Sequence, residues 1–163
     1  MAILSSKWLW IALTNAAIVA VLYINCRTEM HTEIVIDATP EEVWAVLIDT
    51  ERYPEWNPVF VEADGKFQVG TSISNQVVEP CKDAGVMTAN VLAVEPLSHI
   101  NQSGGIPGII TFDHHYYLEA EGAGTRVIQH ETDMGLYMYF WDSSWVEQAS
   151  ASVNEALKAQ VEG

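Results

Sequence analysis

The chain is short of positive charge. Against 22 aspartates and glutamates it carries seven lysines and arginines, a formal net charge of −15 at neutral pH. Two of the seven, Lys7 and Arg27, fall in the first 27 residues, so the rest has five basic side chains and a balance of −17. That excludes a nucleic-acid binder and a domain that docks on anionic headgroups, since both need basic surface to meet phosphates. Cysteine is nearly absent as well, and Cys26 and Cys81 supply no disulfide framework. The chain also lacks a nucleophile elbow, a glycine-rich phosphate loop, an internal repeat and any low-complexity tract. Neither a metal nor a cofactor is expected. A length of 163 residues leaves room for one domain with a sizeable core and a short extension.

The extension is an apolar run. Trp8 to Ile24 is 17 residues without a charge, and only Thr14 and Asn15 in it are polar. As a helix it spans roughly 25 Å, a little under the ~30 Å hydrocarbon layer, which local thinning accommodates. Trp8 and Trp10 at one end and Tyr23 at the other suit the aromatic belts of a spanning helix. No small-x-small site follows the run, which argues against a cleaved signal, and Asn25 is a poor neighbour for a lipid-modified Cys26. The expectation is a single-pass anchor over residues 1–27 and a second domain over residues 28–163. Lys7 and the free amine on one side and Arg27 on the other barely distinguish the two orientations.

In that second domain, Thr39 to Val59 organises the rest. Thr39 and Glu42 form a capping box with Pro40 at the first helical position. Val43 with Leu47 and Trp44 with Ile48, four residues apart, predict one apolar helical face. Pro54 and Asn57-Pro58 break the helix and leave Glu51 to Trp56 as a turn or short second helix. Tyr53 and Trp56 then fold back as apolar anchors. Strands joined by turns follow over Val59–Ala63, Phe67–Val69, Thr71–Val78, Met87–Val94 and Leu97–Gln102, with a break from Pro80 to Gly85. Ser103 to Gly108 reads as a flexible, apolar connector, or as a gate.

These residues carry a resemblance. The strand Glu33 to Asp37, Ala-Thr-Pro-Glu-Glu-Val-Trp (38–44), Arg-Tyr-Pro-Glu-Trp-Asn-Pro (52–58) and Val-Leu-Ala-Val-Glu-Pro (91–96) resemble the START/polyketide cyclase-like superfamily, also called SRPBCC. So do Asp-His-His-Tyr-Tyr-Leu (113–118), Gly-Thr-Arg-Val (124–127) and Asn-Glu-Ala-Leu-Lys (154–158). The resemblance covers about residues 32 to 162 and implies an α+β helix-grip fold, a curved antiparallel sheet wrapped around a long C-terminal helix. It identifies a fold better than a function.

The candidate site lies on the late strands and that helix. Alternation over Thr111–Glu119 puts Phe112, His114, Tyr116 and Leu118 on one face, the apolar one, which should point inward. On the partner strand, Ile128, His130 and Thr132 form the less charged face. If Leu118 pairs near Arg126, His130 joins His114 inside, and a one-residue slip would reverse this. A metal would need three or four ligands, and no cysteine or carboxylate is clearly aimed at the histidines. Ser144 and Glu147 suggest a second capping box, after which Trp145, Ala149, Val153, Leu157 and Val161 recur every four residues. Small residues 149–152 leave space beneath the helix, and the resemblance implies that this space is a ligand cavity. The expected ligand-binding set is therefore Phe112, His114, Tyr116, Leu118, His130, Ala149 and Val153. The reading favours a membrane-tethered binder of a small hydrophobic ligand such as a lipid, isoprenoid or polyketide-like compound. Two alternatives stay open: a cyclase/dehydrase-like enzyme using His114, Tyr116 or His130, and a non-enzymatic partner of membrane proteins, which exposed aromatics near Tyr137 to Trp141 would favour.

Overall fold

The computed structural model describes residues 2–79 and 83–163, with side chains from Lys7 onward. Cys81, its pairing with Cys26 and the first half of the Pro80-to-Gly85 break lie outside the described residues. The chain opens with helix α1 (Ala2–Asn25), of which Lys7–Asn25 is long and apolar enough to cross a membrane and is not buried against the rest of the protein. Of the two polar residues in its middle, Thr14 and Asn15, the second is satisfied within the helix, since Asn15 Nδ2 donates to the Ile11 carbonyl at 2.8 Å. Only Cys26 separates α1 from the first strand.

Seven described strands form one antiparallel sheet: β1 (Arg27–Ile36), β2 (Phe60–Asp64), β3 (Ser72–Val77), β4 (Gly85–Glu95), β5 (His99–Ile106), β6 (Ile110–Glu121) and β7 (Gly124–Met134). Their order across the sheet is β1-β7-β6-β5-β4-β3-β2. The sheet curves as a half-barrel around the last helix, α4 (Ser144–Glu162), which packs chiefly on β1. This is the helix-grip architecture.

Between β1 and β2, helix α2 (Pro40–Leu47) starts at the expected capping box: Thr39 Oγ1 accepts from the Glu42 amide while Glu42 reaches back to the Thr39 amide at 2.9 Å. Val43, Trp44 and Leu47 are buried, but Ile48 is exposed and does not extend their face. Chain direction reverses through a 3-10 turn (Thr50–Arg52) and the four-residue helix α3 (Tyr53–Trp56). Two polar side chains hold that reversal. The Tyr53 hydroxyl donates to the Leu47 carbonyl at 2.7 Å, and Asn57 Oδ1 accepts from the amides of Val59 and Phe60, which launches β2. Trp56 packs edge-on to Tyr53, with ring centroids 5.2 Å apart.

Three local expectations need correction. Ser103 to Ile106 is not a loop but the end of β5, paired with β6, and only Pro107 to Ile109 turn. The glycines there serve close approach: a Cβ on Gly104 would stand 2.6 Å from the Phe112 ring, and one on Gly105 would stand 2.2 Å from the Ile110 carbonyl oxygen. Phe67–Val69 forms no strand. The Ser144/Glu147 capping box does not form, because Ser144 lies inside α4 and Asp142 Oδ1 accepts its amide at 3.0 Å.

The core lies where α2, α4 and the sheet converge. Ile36, Val43, Leu47, Ile100, Val127 and Leu157 are all sealed from solvent. At roughly 1.5–3 kcal/mol per large side chain buried, this cluster fixes α4 to one end of the sheet. The other end stays open.

Candidate ligand cavity

At that open end a cavity of about 400 Å³ separates α4 from the concave face of the sheet. Such a volume is ordinary for a small-molecule site. Val59, Val77, Met87, Phe112, Trp145 and Val153 give it apolar walls. The stripe on α4 is as expected, with Val153 and Leu157 buried and Ala149 lining the cavity. Of the small residues, Ala149 and Ser150 face the space, whereas Ala151 and Ser152 point to solvent.

The inner face of the β6–β7 hairpin is laid out in cross-strand pairs: Leu118 with Val127, Tyr116 with Gln129, His114 with Glu131, and Phe112 with Asp133. Inward pointing of Phe112, His114, Tyr116 and Leu118 thus holds. Their environments differ, however. Leu118 belongs to the sealed core beside Ile36 and Val127, and Tyr116 faces a small annex of about 30 Å³ together with His114. Phe112 and His114 reach the main cavity.

His130 does not. Glu121 pairs with Gly124 across a two-residue turn, so Leu118 stands opposite Val127 rather than Arg126, and that single step turns His130 outward. There its ring lies 6.5 Å from His115 and 6.3 Å from His31. The outer face of the neighbouring strands carries a further stack in which His99 lies 4.7 Å from Tyr117 and 5.3 Å from His115.

The slip brings Gln129, Glu131 and Asp133 inside instead. Gln129 is 1% exposed, and its Nε2 donates to the Ser150 carbonyl at 2.9 Å and to Asn154 Oδ1 at 2.6 Å, bolting β7 to α4. Glu131 Oε2 sits 2.7 Å from His114 Nδ1, so a carboxylate is after all aimed at that histidine. His114 Nε2 is buried with no hydrogen-bond partner. Burial, reinforced by the Glu131 charge, raises the Asp133 carboxyl from 3.8 to about 7. The Tyr116 hydroxyl is pushed up for the same two reasons, burial first. Among the described residues no three His, Cys, Asp or Glu side chains are grouped to hold a metal. The arrangement offers an apolar chamber with one polar corner, able to orient a ligand or to move a proton through His114.

A curved sheet gripping a helix above an apolar chamber defines the class of hydrophobic ligand-binding helix-grip domains. The model of the family "Polyketide cyclase / dehydrase and lipid transport" matches residues 27–162, and the chain belongs to that family. Solved structures share the fold. A protein from Mesorhizobium loti is 18% identical, with a TM-score of 0.68 over 83% of this chain and 97% of its own. The Zhui aromatase/cyclase from a Streptomyces species is 14% identical, with a TM-score of 0.68 over 83% and 94%. Norcoclaurine synthase from Thalictrum flavum, solved with dopamine and hydroxybenzaldehyde, is 14% identical, with a TM-score of 0.65 over 83% and 87%. A search of the curated proteins finds no match.

Proposed function

We propose that the protein binds a small, largely apolar molecule, a lipid, isoprenoid or polyketide-like compound, while α1 anchors it in a membrane. The observation that carries this reading is the cavity between α4 and the sheet, walled by aliphatic and aromatic side chains and open at one end. Phe112, His114, Ala149 and Val153 contact the ligand in this reading, and Tyr116 supports His114. Binding rather than catalysis is favoured because most of the described residues that line the chamber are apolar, and His114 is the one histidine among them. The lipid-transport part of the family's description agrees with an apolar cargo.

The membrane part rests on α1 and on what lies beside it. Tyr137, Tyr139 and Phe140 are exposed, Phe140 by 84%, and the Tyr139 hydroxyl donates to the Leu22 carbonyl at 3.3 Å. Exposed aromatics at the end of an apolar helix suit the interfacial belt of a bilayer. They serve the membrane in this reading rather than a partner protein. Ile106 and Trp141, next to that patch, line the cavity, so its mouth opens toward the interface.

The test is made on the full chain in phosphatidylcholine nanodiscs. Octan-1-ol should bind saturably after subtraction of empty nanodiscs, and change the tryptophan emission to which Trp141 and Trp145 contribute. Non-saturable uptake equal to that of empty nanodiscs would rule the cavity out as a binding site. The anchor is checked separately: the chain should stay with membranes through an alkaline carbonate wash, and release by that wash would end the tethered reading.

A further inference from the structure

The polar corner has a sign. Among the described residues that line the cavity, the titratable ones are Glu79, His114, Glu131 and Asp133, with no lysine or arginine. Glu131 and Asp133 lie two residues apart on the inner face of β7 and reach the same space, Asp133 with 4% exposure. An acidic pair alone would be only a surface accident turned inward. Here a second observation points to a ligand: His114, 7% exposed, has Nδ1 committed to Glu131, while Nε2 on the far side of its ring is buried without a partner. A buried polar atom left unmatched costs free energy unless something supplies the missing bond. Facing α4 contributes Ser150 to the lining of the same cavity.

The structure assigns this corner, we infer, to the head of an amphiphile carrying a protonated amine, whose tail fills the apolar part of the same cavity. This deepens the binding reading above and rests on it. The chemistry selects the head by its donors and charge. Two carboxyl groups accept from an ammonium, and a nearby cation relieves the repulsion between Glu131 and Asp133 and returns Asp133 to its carboxylate form. His114 Nε2, when it carries no proton, accepts a further hydrogen bond from the ammonium. A fatty-acid carboxylate meets the opposite situation, a third negative charge in a space with no balancing cation among the described residues. In a partly desolvated site that repulsion is screened far less than in water. The surrounding domain, with its balance of −17, adds to the same potential.

The experiment compares three probes of one tail length, octylamine, octan-1-ol and octanoate, on the full chain in phosphatidylcholine nanodiscs near pH 8, with empty nanodiscs subtracted. Octylamine should bind at least about tenfold more tightly than octanoate, with octan-1-ol between them. Asp133→Asn and Glu131→Gln should each shrink the ratio of octylamine to octanoate affinity severalfold. If octan-1-ol binds and octylamine shows no preference over octanoate, the amine assignment is overturned while the cavity stands. A preference that survives in both variants also overturns it, since the charge would then reside elsewhere. If none of the three binds saturably, the cavity reading falls and this one with it. The wild-type ranking decides the matter even where a variant fails to fold.

Discussion

Replacing Asp133 with asparagine should make the protein more stable, by an amount that grows from about pH 4 and levels off near pH 7. The folded state holds this carboxyl at about 7, against 3.8 for an ordinary aspartate, because burial and the Glu131 charge disfavour its ionised form. Below about pH 4 the group is protonated in both states and contributes nothing. Between about 4 and 7 the unfolded chain releases the proton and the folded chain keeps it, so stability falls as pH rises; above 7 the penalty is complete. The full difference corresponds to roughly 4 kcal/mol, and the open cavity beside Asp133 brings the expected value to about 2–4 kcal/mol. Asparagine has the shape of the protonated form and never ionises. The assay is urea unfolding of residues 26–163, followed by tryptophan fluorescence from about pH 4 to 8 for both proteins. Cys26 is kept because its carbonyl accepts the Gly135 amide at 3.1 Å. Other groups slope the individual curves, including His115, whose imidazole is lowered first by burial, but they cancel in the difference. That difference should rise from near zero to its plateau across the interval. A flat difference curve would refute the account of Asp133 as a buried, charge-crowded acid.

Three further outcomes are expected. Gln129→Ala should cost about 2–4 kcal/mol, read by the same unfolding assay, because it removes a buried side chain together with its bonds to the Ser150 carbonyl and Asn154 Oδ1. Trp56→Ala should cost about 2–4 kcal/mol, since Trp56 bridges the core and the cavity wall and packs edge-on to Tyr53; a loss under about 1 kcal/mol would mean that it bridges nothing. Ala149→Trp should abolish saturable octan-1-ol binding by filling the cavity, whereas His114→Ala should weaken it less than about tenfold, and the reverse ranking would favour an enzyme.

The fold was legible because its signals are local and agree with one another. The Thr39–Glu42 box, Pro54 and the four-residue stripe from Trp145 to Val161 each act within a turn or two, and each lies where the spacing puts it. The strand around His114 was legible for a different reason: its apolar face has a period of two and no competitor. What failed was register. Which face of β7 turns inward depends on the length of the Gly122-Ala123 turn, and residue charge pointed the wrong way, because the inner face carries Gln129, Glu131 and Asp133. Those side chains are tolerated there by partners distant in sequence: Ser150 and Asn154 from α4 for Gln129, His114 from β6 for Glu131. The Ser103–Ile106 segment was misread for a related reason. Glycine there makes room for the Phe112 ring and for the β6 backbone, a demand set by the neighbouring strand and invisible in the segment itself.

In the tethered-binder reading proposed above, the join between α1 and β1 governs what kind of traffic the protein would serve. A shuttle that carries cargo between two bilayers needs slack, a tether many residues long over which its domain explores the gap. Here the spacer is one residue, a reach of about 3.6 Å at most, and that residue is buried with its carbonyl bound to Gly135. With α1 spanning, the domain gains no search volume, and its mouth meets the same patch of lipid at a constant, very high local concentration. Loading then depends on lateral diffusion of the cargo in that leaflet. Delivery depends on whichever acceptor drifts alongside in the same plane.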